Sequence, residues 1–321
     1  MVEVSLQIEG QDGLTWTGWK RWTIEVEALG FAGLFRSDHY TNARPPDKNS
    51  LEMIVSLTYL ADHTHQIHFG PLVSPLSFRE PTLLVRQAAA LDDLSGGRMI
   101  LGLGAGWQER EHSLFGHDLG DIPTRMNRLE EGLEVTTRLL QSDEPVTYEG
   151  HFYNLRGATL LPRPQRPGGP RIMIGGLGTK RTLPLVARYA DIWNAPFVPL
   201  ETFRERSAYL DTLLREAGRE PKSVKRTIMA PIFLGGDMHE LDQQLQWRHN
   251  RPELADKSLD EAISTLQNNG FLIGTPAMII AQLRAYAEGG LEEVMLVQRG
   301  DPSEEAIAQL RLISEQVIPH L

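Results

Sequence analysis

A chain of 321 residues can bury one large core or two smaller ones, and its formal net charge of -10 excludes a general nucleic-acid or anionic-membrane partner. It has no cysteine, which removes disulfides, thiolate metal sites and cysteine nucleophiles together. With no basic leader and no apolar run long enough to span a bilayer, a soluble cytoplasmic protein is expected.

In chain order, β-rich apolar runs predict strands at Val4 to Ile8, Gly33 to Ser37, Ile67 to Val73, Met99 to Leu103, Arg171 to Gly175, Asp191 to Asn194, Thr227 to Leu234 and Glu293 to Val297. Between them apolar residues recur at helical spacing, as in Leu84, Ala88 and Leu91, or Ile279, Leu283 and Tyr286. Such alternation means parallel strands with helical crossovers. The number of repeats suits a closed (β/α)8 TIM barrel better than an open sheet, so the chain is read as one α/β domain over residues 1–321. Insertions after strands 4 and 7 exceed a normal crossover. The first, 107–170, holds a helix expected over Arg125 to Gln141, a hairpin turning at Glu149 and Gly150, and then Pro162, Pro164, Pro167 and Pro170, which forbid regular structure. The second, 235–270, is polar, carries His239, Trp247, His249 and Arg251, and reads as a candidate lid.

In a barrel, residues that follow strands face the catalytic end and residues that precede them face the other. The H-x-H-x-x-H run at His63, His65 and His68 precedes the third strand, so a structural role is expected there and no metal site. Asp38 and His39 follow Ser37 at the end of the second strand, and a carboxylate beside an imidazole is equipment for proton transfer. The fourth strand ends Gly102, Leu103, Gly104, Ala105, Gly106, Trp107. A dinucleotide fingerprint would need glycine where Trp107 stands; small residues here instead leave room for a flat ligand, with Trp107 as its wall or as a lid contact. The fifth strand empties through Gly175, Gly176, Leu177, Gly178 and Thr179 into Lys180, Arg181 and Thr182 at the head of a helix. Amides in such a turn suit a phosphate, and the two cations form a candidate cluster beside it.

These pieces, in this order, resemble the bacterial luciferase-like flavin and deazaflavin oxidoreductases: Phe35 to His39, Gly70 to Val73, Leu94 to Arg98 leading into Gly102 to Trp107, and Ile174 to Thr182 running on to Asp191. The Ser-Asp-His ending most resembles the branch that uses coenzyme F420 rather than FMN. The resemblance implies a cofactor phosphate on Gly175, Gly176, Gly178 and Thr179, and a ring against Val73, Gly104, Ala105 and Trp107, with Ser37 and Leu72 among the cofactor-binding residues. It further implies a cis peptide between Leu72 and Val73, and His39 as the catalytic base with Asp38 orienting it. The expected activity is hydride transfer between F420 and a small organic substrate. The alternatives are an FMN-dependent monooxygenase using reduced flavin and O2, and a flavin-binding protein without turnover. Family members are commonly homodimers. Substrate choice is assigned to Trp16, Trp19, Tyr40 and the 235–270 stretch.

Overall fold

A computed structural model describes every residue from Met1 to Leu321. The strands are β1 (Glu3–Glu9), β2 (Gly33–Arg36), β3 (His68–Pro71), β4 (Ser74–Pro75), β5 (Ile100–Gly104), β6 (Val146–Glu149), β7 (Asn154–Ala158), β8 (Arg171–Gly175), β9 (Ile192–Pro196), β10 (Lys225–Leu234), β11 (Leu272–Gly274) and β12 (Glu293–Arg299). Eight of them, β1, β2, β3, β5, β8, β9, β10 and β12, are the expected barrel strands and run parallel. β1 pairs with β12 in register from Glu3↔Glu293 to Glu9↔Arg299. The ring closes between β3 and β5 through a Phe69↔Met99 bridge and through β4, a short continuation of the third strand that pairs with β5.

Strand alternation sorts the side chains. On β1, Val4, Leu6 and Ile8 join the 62-residue core between the strands and the surrounding helices. Phe35, Leu72, Ile100, Met173, Ile192 and Met295 form a separate cluster that fills the barrel interior. Below it, at the end where the strands begin, Ser5 Oγ donates to Glu293 at 2.5 Å and Lys225 bridges Glu3 and Glu293. His68 lies near these cations; burial, then Arg171 and Lys225, push it down to about 4. His63 stacks on Tyr59 and donates its Nδ1 proton to the Tyr59 carbonyl at 2.9 Å.

Both long insertions are present. The first carries a helix over Glu109–Phe115, the long helix Ile122–Gln141, three residues longer at its start than the spacing indicates, and the β6–β7 hairpin. Glu131 of the long helix accepts from the hairpin amides of His151 at 3.0 Å and Phe152 at 2.8 Å. The second forms helices Met238–Gln244 and Leu259–Gln267, which close on an apolar cluster of their own around Leu241, Leu245, Ala262 and Ile263. No helix of the chain is long and apolar enough to cross a membrane.

Candidate active site

The strand ends of the catalytic face surround a cleft of about 620 Å³. This is the size of a pocket for a sizeable organic ligand. Ser37, His39, Leu72, Val73, Gly104, Ala105, Trp107, Gly175 and Gly176 all line it, so most of the expected ring and phosphate residues converge. The Leu72–Val73 peptide is cis. Val73 turns between two strand ends whose lack of side chains admits it. A Cβ on Gly104 would come within 2.5 Å of Val73 Cγ2, and one on Gly175 within 3.3 Å of Cγ1.

His39 is held by a residue that the sequence did not single out. Its Nδ1 lies 2.8 Å from Glu111 Oε1, and the other oxygen of Glu111 accepts the Tyr40 amide at 2.9 Å. Because a carboxylate only accepts, Nδ1 carries a proton and Nε2 remains without a protein partner. Burial opposes the imidazolium, but the hydrogen bond and charge of Glu111, helped by Glu9 and Asp38, outweigh it and hold His39 above its ordinary value. The Trp107 ring meets the imidazole edge-on at 5.5 Å.

Asp38 does not orient His39. Its oxygens are taken by Arg79, through Nε at 2.9 Å and Nη2 at 2.6 Å, and by Ser74 Oγ at 2.9 Å. The guanidinium and the hydroxyl hold this buried carboxylate, and it makes no hydrogen bond to its neighbour in sequence. Ser37 is a bracing residue at the same strand end: its hydroxyl accepts the Gly10 amide at 3.0 Å and donates to Gln11 Oε1 at 2.6 Å.

The glycine turn after β8 is built as expected, with a different electrostatic setting. Gly176 sits at φ 131°, its carbonyl receives the Trp193 indole proton at 2.8 Å, and its amide donates to Asn194. The next six amides, Leu177 to Thr182, find no acceptor in the protein. They precede helix Thr182–Tyr189, where Pro184 falls in the first turn and removes no helical hydrogen bond. The expected pair of cations is not assembled here. Arg181 turns to Asn127 and Glu130 on the long insertion helix, at 2.9 and 3.0 Å, while Lys180 is exposed. Gly178 and Thr179 belong to this run of free amides but do not line the cleft.

The residues expected to choose the substrate lie elsewhere. Trp19 is fully buried and gives its indole proton to the Ser56 carbonyl, and Trp16 packs edge-on to Tyr59. Tyr40 packs on Phe78 at 4.6 Å, behind the wall. No residue of 235–270 lines the cleft; its apolar side chains pack with Ile273 and against Phe233, Phe271 and Met278. The cleft instead takes Glu9 at the end of β1 with Gln11 and Asp12 after it, Asn42 and Ala43 after β2, Asn194 of β9 with Phe197 after it, and Met229 and Arg299 from β10 and β12. The rule that strand ends face the site contained this signal; Phe197, a non-glycine residue at φ 47°, marks the tight exit from β9.

The sequence pattern described as luciferase-like monooxygenase matches residues 5–293. The chain belongs to that family. Among its relatives, an F420-dependent glucose-6-phosphate dehydrogenase of Amycolatopsis mediterranei is 25% identical, over 94% of this chain and 93% of the other. A 4-hydroxyprotoasukamycin monooxygenase of Streptomyces nodosus subsp. asukaensis is 31% identical, over 51% of this chain and 43% of its own. Among solved structures, an F420-dependent secondary alcohol dehydrogenase holding an F420-acetone adduct superimposes with a TM-score of 0.82 at 18% identity, covering 99% of this chain and 98% of that one. At that identity the likeness carries the luciferase-like barrel fold.

Proposed function

We propose that this family member is an F420-dependent oxidoreductase that moves a hydride between the deazaflavin ring and a small organic substrate. The observation that carries the reading is His39 on the cleft wall, its Nδ1 fixed by Glu111 and its Nε2 unengaged, beside strand ends that leave space for a flat ring. The F420-dependent dehydrogenase above spans almost the whole chain, and the monooxygenase about half of it, which favours the F420 reading.

The residues present suit such a cofactor. Six amides beside the cleft have no acceptor in the protein and suit an anionic group, and the Val73 shelf between Gly104 and Gly175 offers an apolar seat for a ring. Bound there, F420 supplies the hydride chemistry. The protein supplies position and the proton: His39 Nε2 takes the hydroxyl proton of an alcohol being oxidised, or returns it to a carbonyl being reduced. Glu111 stabilises the charged imidazole that oxidation creates. The FMN-dependent monooxygenase is the second reading, favoured by the shorter and more similar match.

Titration of the purified chain with F420 and with FMN, read by the distinct fluorescence of each, tests the assignment. Tight F420 binding with FMN at least about tenfold weaker supports it, and the reverse order overturns it. A cytoplasmic homodimer completes the proposal. Exposed Leu114, Phe115 and Ile122 on the first insertion support self-association. Sedimentation at micromolar concentration showing only one chain mass would remove the dimer.

A further inference from the structure

We infer that the substrate is a non-anionic alcohol or carbonyl compound carrying a second hydrogen-bond donor, a hydroxyl or an ammonium, which the carboxylate of Glu9 accepts. This rests on the hydride-transfer reading and adds to it the class of molecule transformed.

The ground is what the cleft has left over after its own hydrogen bonds are made. Glu9 lines the cleft and takes one hydrogen bond, from Gln11 Nε2 at 2.6 Å; no lysine or arginine pairs with it. Gln11 cannot turn away, because its Oε1 is held by the Ser37 hydroxyl. Arg299 is the only lysine or arginine on the cleft wall, and its Nη1 is committed to Asp12 at 2.8 Å. Glu111 is spent on His39 and the Tyr40 amide. Glu9 is therefore the one carboxylate on the wall paired with neither a cation nor an imidazole.

A second, independent group points the same way. Asn194 is 1% exposed and lines the cleft. Its Nδ2 donates to Thr227 Oγ1 at 2.9 Å, and Thr227 gives its own proton to the Trp193 carbonyl at 3.0 Å. That chain fixes the amide, so Oδ1 is an acceptor with no protein partner. Asn42 and Trp107 add neutral donors, and Arg299, with Nη1 given to Asp12, keeps its other N–H groups at an exposed position. A phosphate or carboxylate on the substrate would lose its water against Glu9, with the wall's one guanidinium, Arg299, already paired to Asp12. A hydroxyl or ammonium would meet a charged acceptor. Glu9 also acts on the right part of the cleft, since its charge is felt at His39.

The test uses four probes on one carbon frame: 1,2-propanediol, 1-amino-2-propanol, lactate, and the 1-phosphate of 1,2-propanediol. Each is titrated into the cofactor-loaded chain, with the ring's fluorescence as readout, and assayed for turnover. The diol and the amino alcohol should bind at least about tenfold more tightly than either anion, the scale of one hydrogen bond to a charged group. Glu9→Gln should erase most of that gap. Asp12→Asn, which leaves Glu9 intact and releases Arg299, should strengthen binding of the two anions. Anions that bind as well as the diol, or an order of affinities unchanged in Glu9→Gln, would overturn the proposal. Should Glu9→Gln fail to fold, Glu9→Asp, with its charge withdrawn by one carbon, takes its place and should narrow the gap. A chain that binds no F420 sinks the functional reading instead; calorimetry with the same probes, on the chain loaded with FMN or left empty, still tests Glu9.

Discussion

Glu111 reaches across 72 residues of sequence to His39 and grips both the imidazole and the next peptide, at 2.8 and 2.9 Å. The helix of the first insertion thereby sets the direction of the imidazole at the end of β2. Glu111 is 1% exposed, so its charge is desolvated and depends on these partners.

Glu111→Gln separates charge from shape. Without the carboxylate, burial dominates and the raised imidazole value of His39 falls. In the oxidation direction His39 must be neutral, so activity rises with pH through that value, and the rising limb should move to lower pH in the variant. Its plateau should drop by about tenfold or more, because a weaker base does less proton transfer. The wild-type pair contributes stability that is full below about pH 6.5 and is lost as pH rises through the raised folded value. Melting temperatures across that range should therefore converge for the two proteins at high pH. An unmoved pH profile would show that Glu111 does not tune His39.

His39→Asn should retain cofactor affinity and lose about 10² to 10⁴-fold in rate. Both quantities are measured on one preparation. Equal loss of binding and rate would reassign His39 to holding the cofactor.

The anion seat is made of backbone, so its sensitivity lies in shape. At Gly176, a side chain would have to accept φ 131° and press on Thr182 Cγ2 at 3.2 Å. Gly176→Val should abolish measurable cofactor binding, with the fold checked by circular dichroism. Lys180→Ala should weaken binding by less than about fivefold, the scale of one exposed charge. Arg181→Ala should act mainly through its lost contact with Glu130. A tight-binding Gly176→Val protein would move the phosphate elsewhere.

Asp38 and Arg79 make a stability prediction. Arg79→Leu strips a carboxylate that is 3% exposed of its cation, leaving Ser74 as its side-chain partner. Removing one member of such a pair costs about 3 kcal/mol or more. Urea unfolding should report that loss, and an unchanged midpoint would contradict the pairing.

The barrel was legible because strand and helix periods are local properties, and each β-rich run carries its own signal between glycine or proline punctuation. The glycine turn was legible for a similar reason: Gly176 meets a backbone demand written at its own position. Charged partners were not. Asp38 stands beside His39 in sequence, yet β4 and the residues after it bring Ser74 and Arg79 to it. Arg181 stands beside the turn, yet the long insertion helix draws it to Glu130. Nothing in the Glu109 to Phe115 segment distinguishes Glu111 from the surface glutamate two residues earlier until the chain closes. The 235–270 stretch, read as a lid, does not line the cleft: its leucines and Ile263 pack with Ile273 and against Phe233 and Met278.

The seam between β1 and β12 has a consequence for how the protein is made. Glu9 and Arg299 are register partners from opposite ends of the chain, and both line the cleft. On a ribosome, β1 emerges long before its partner β12, so the barrel has no closed seam until the last strand is released. A fragment ending before β12 lacks Arg299 and the β1–β12 seam and should bind cofactor more weakly than the whole chain, which a titration of the two reads.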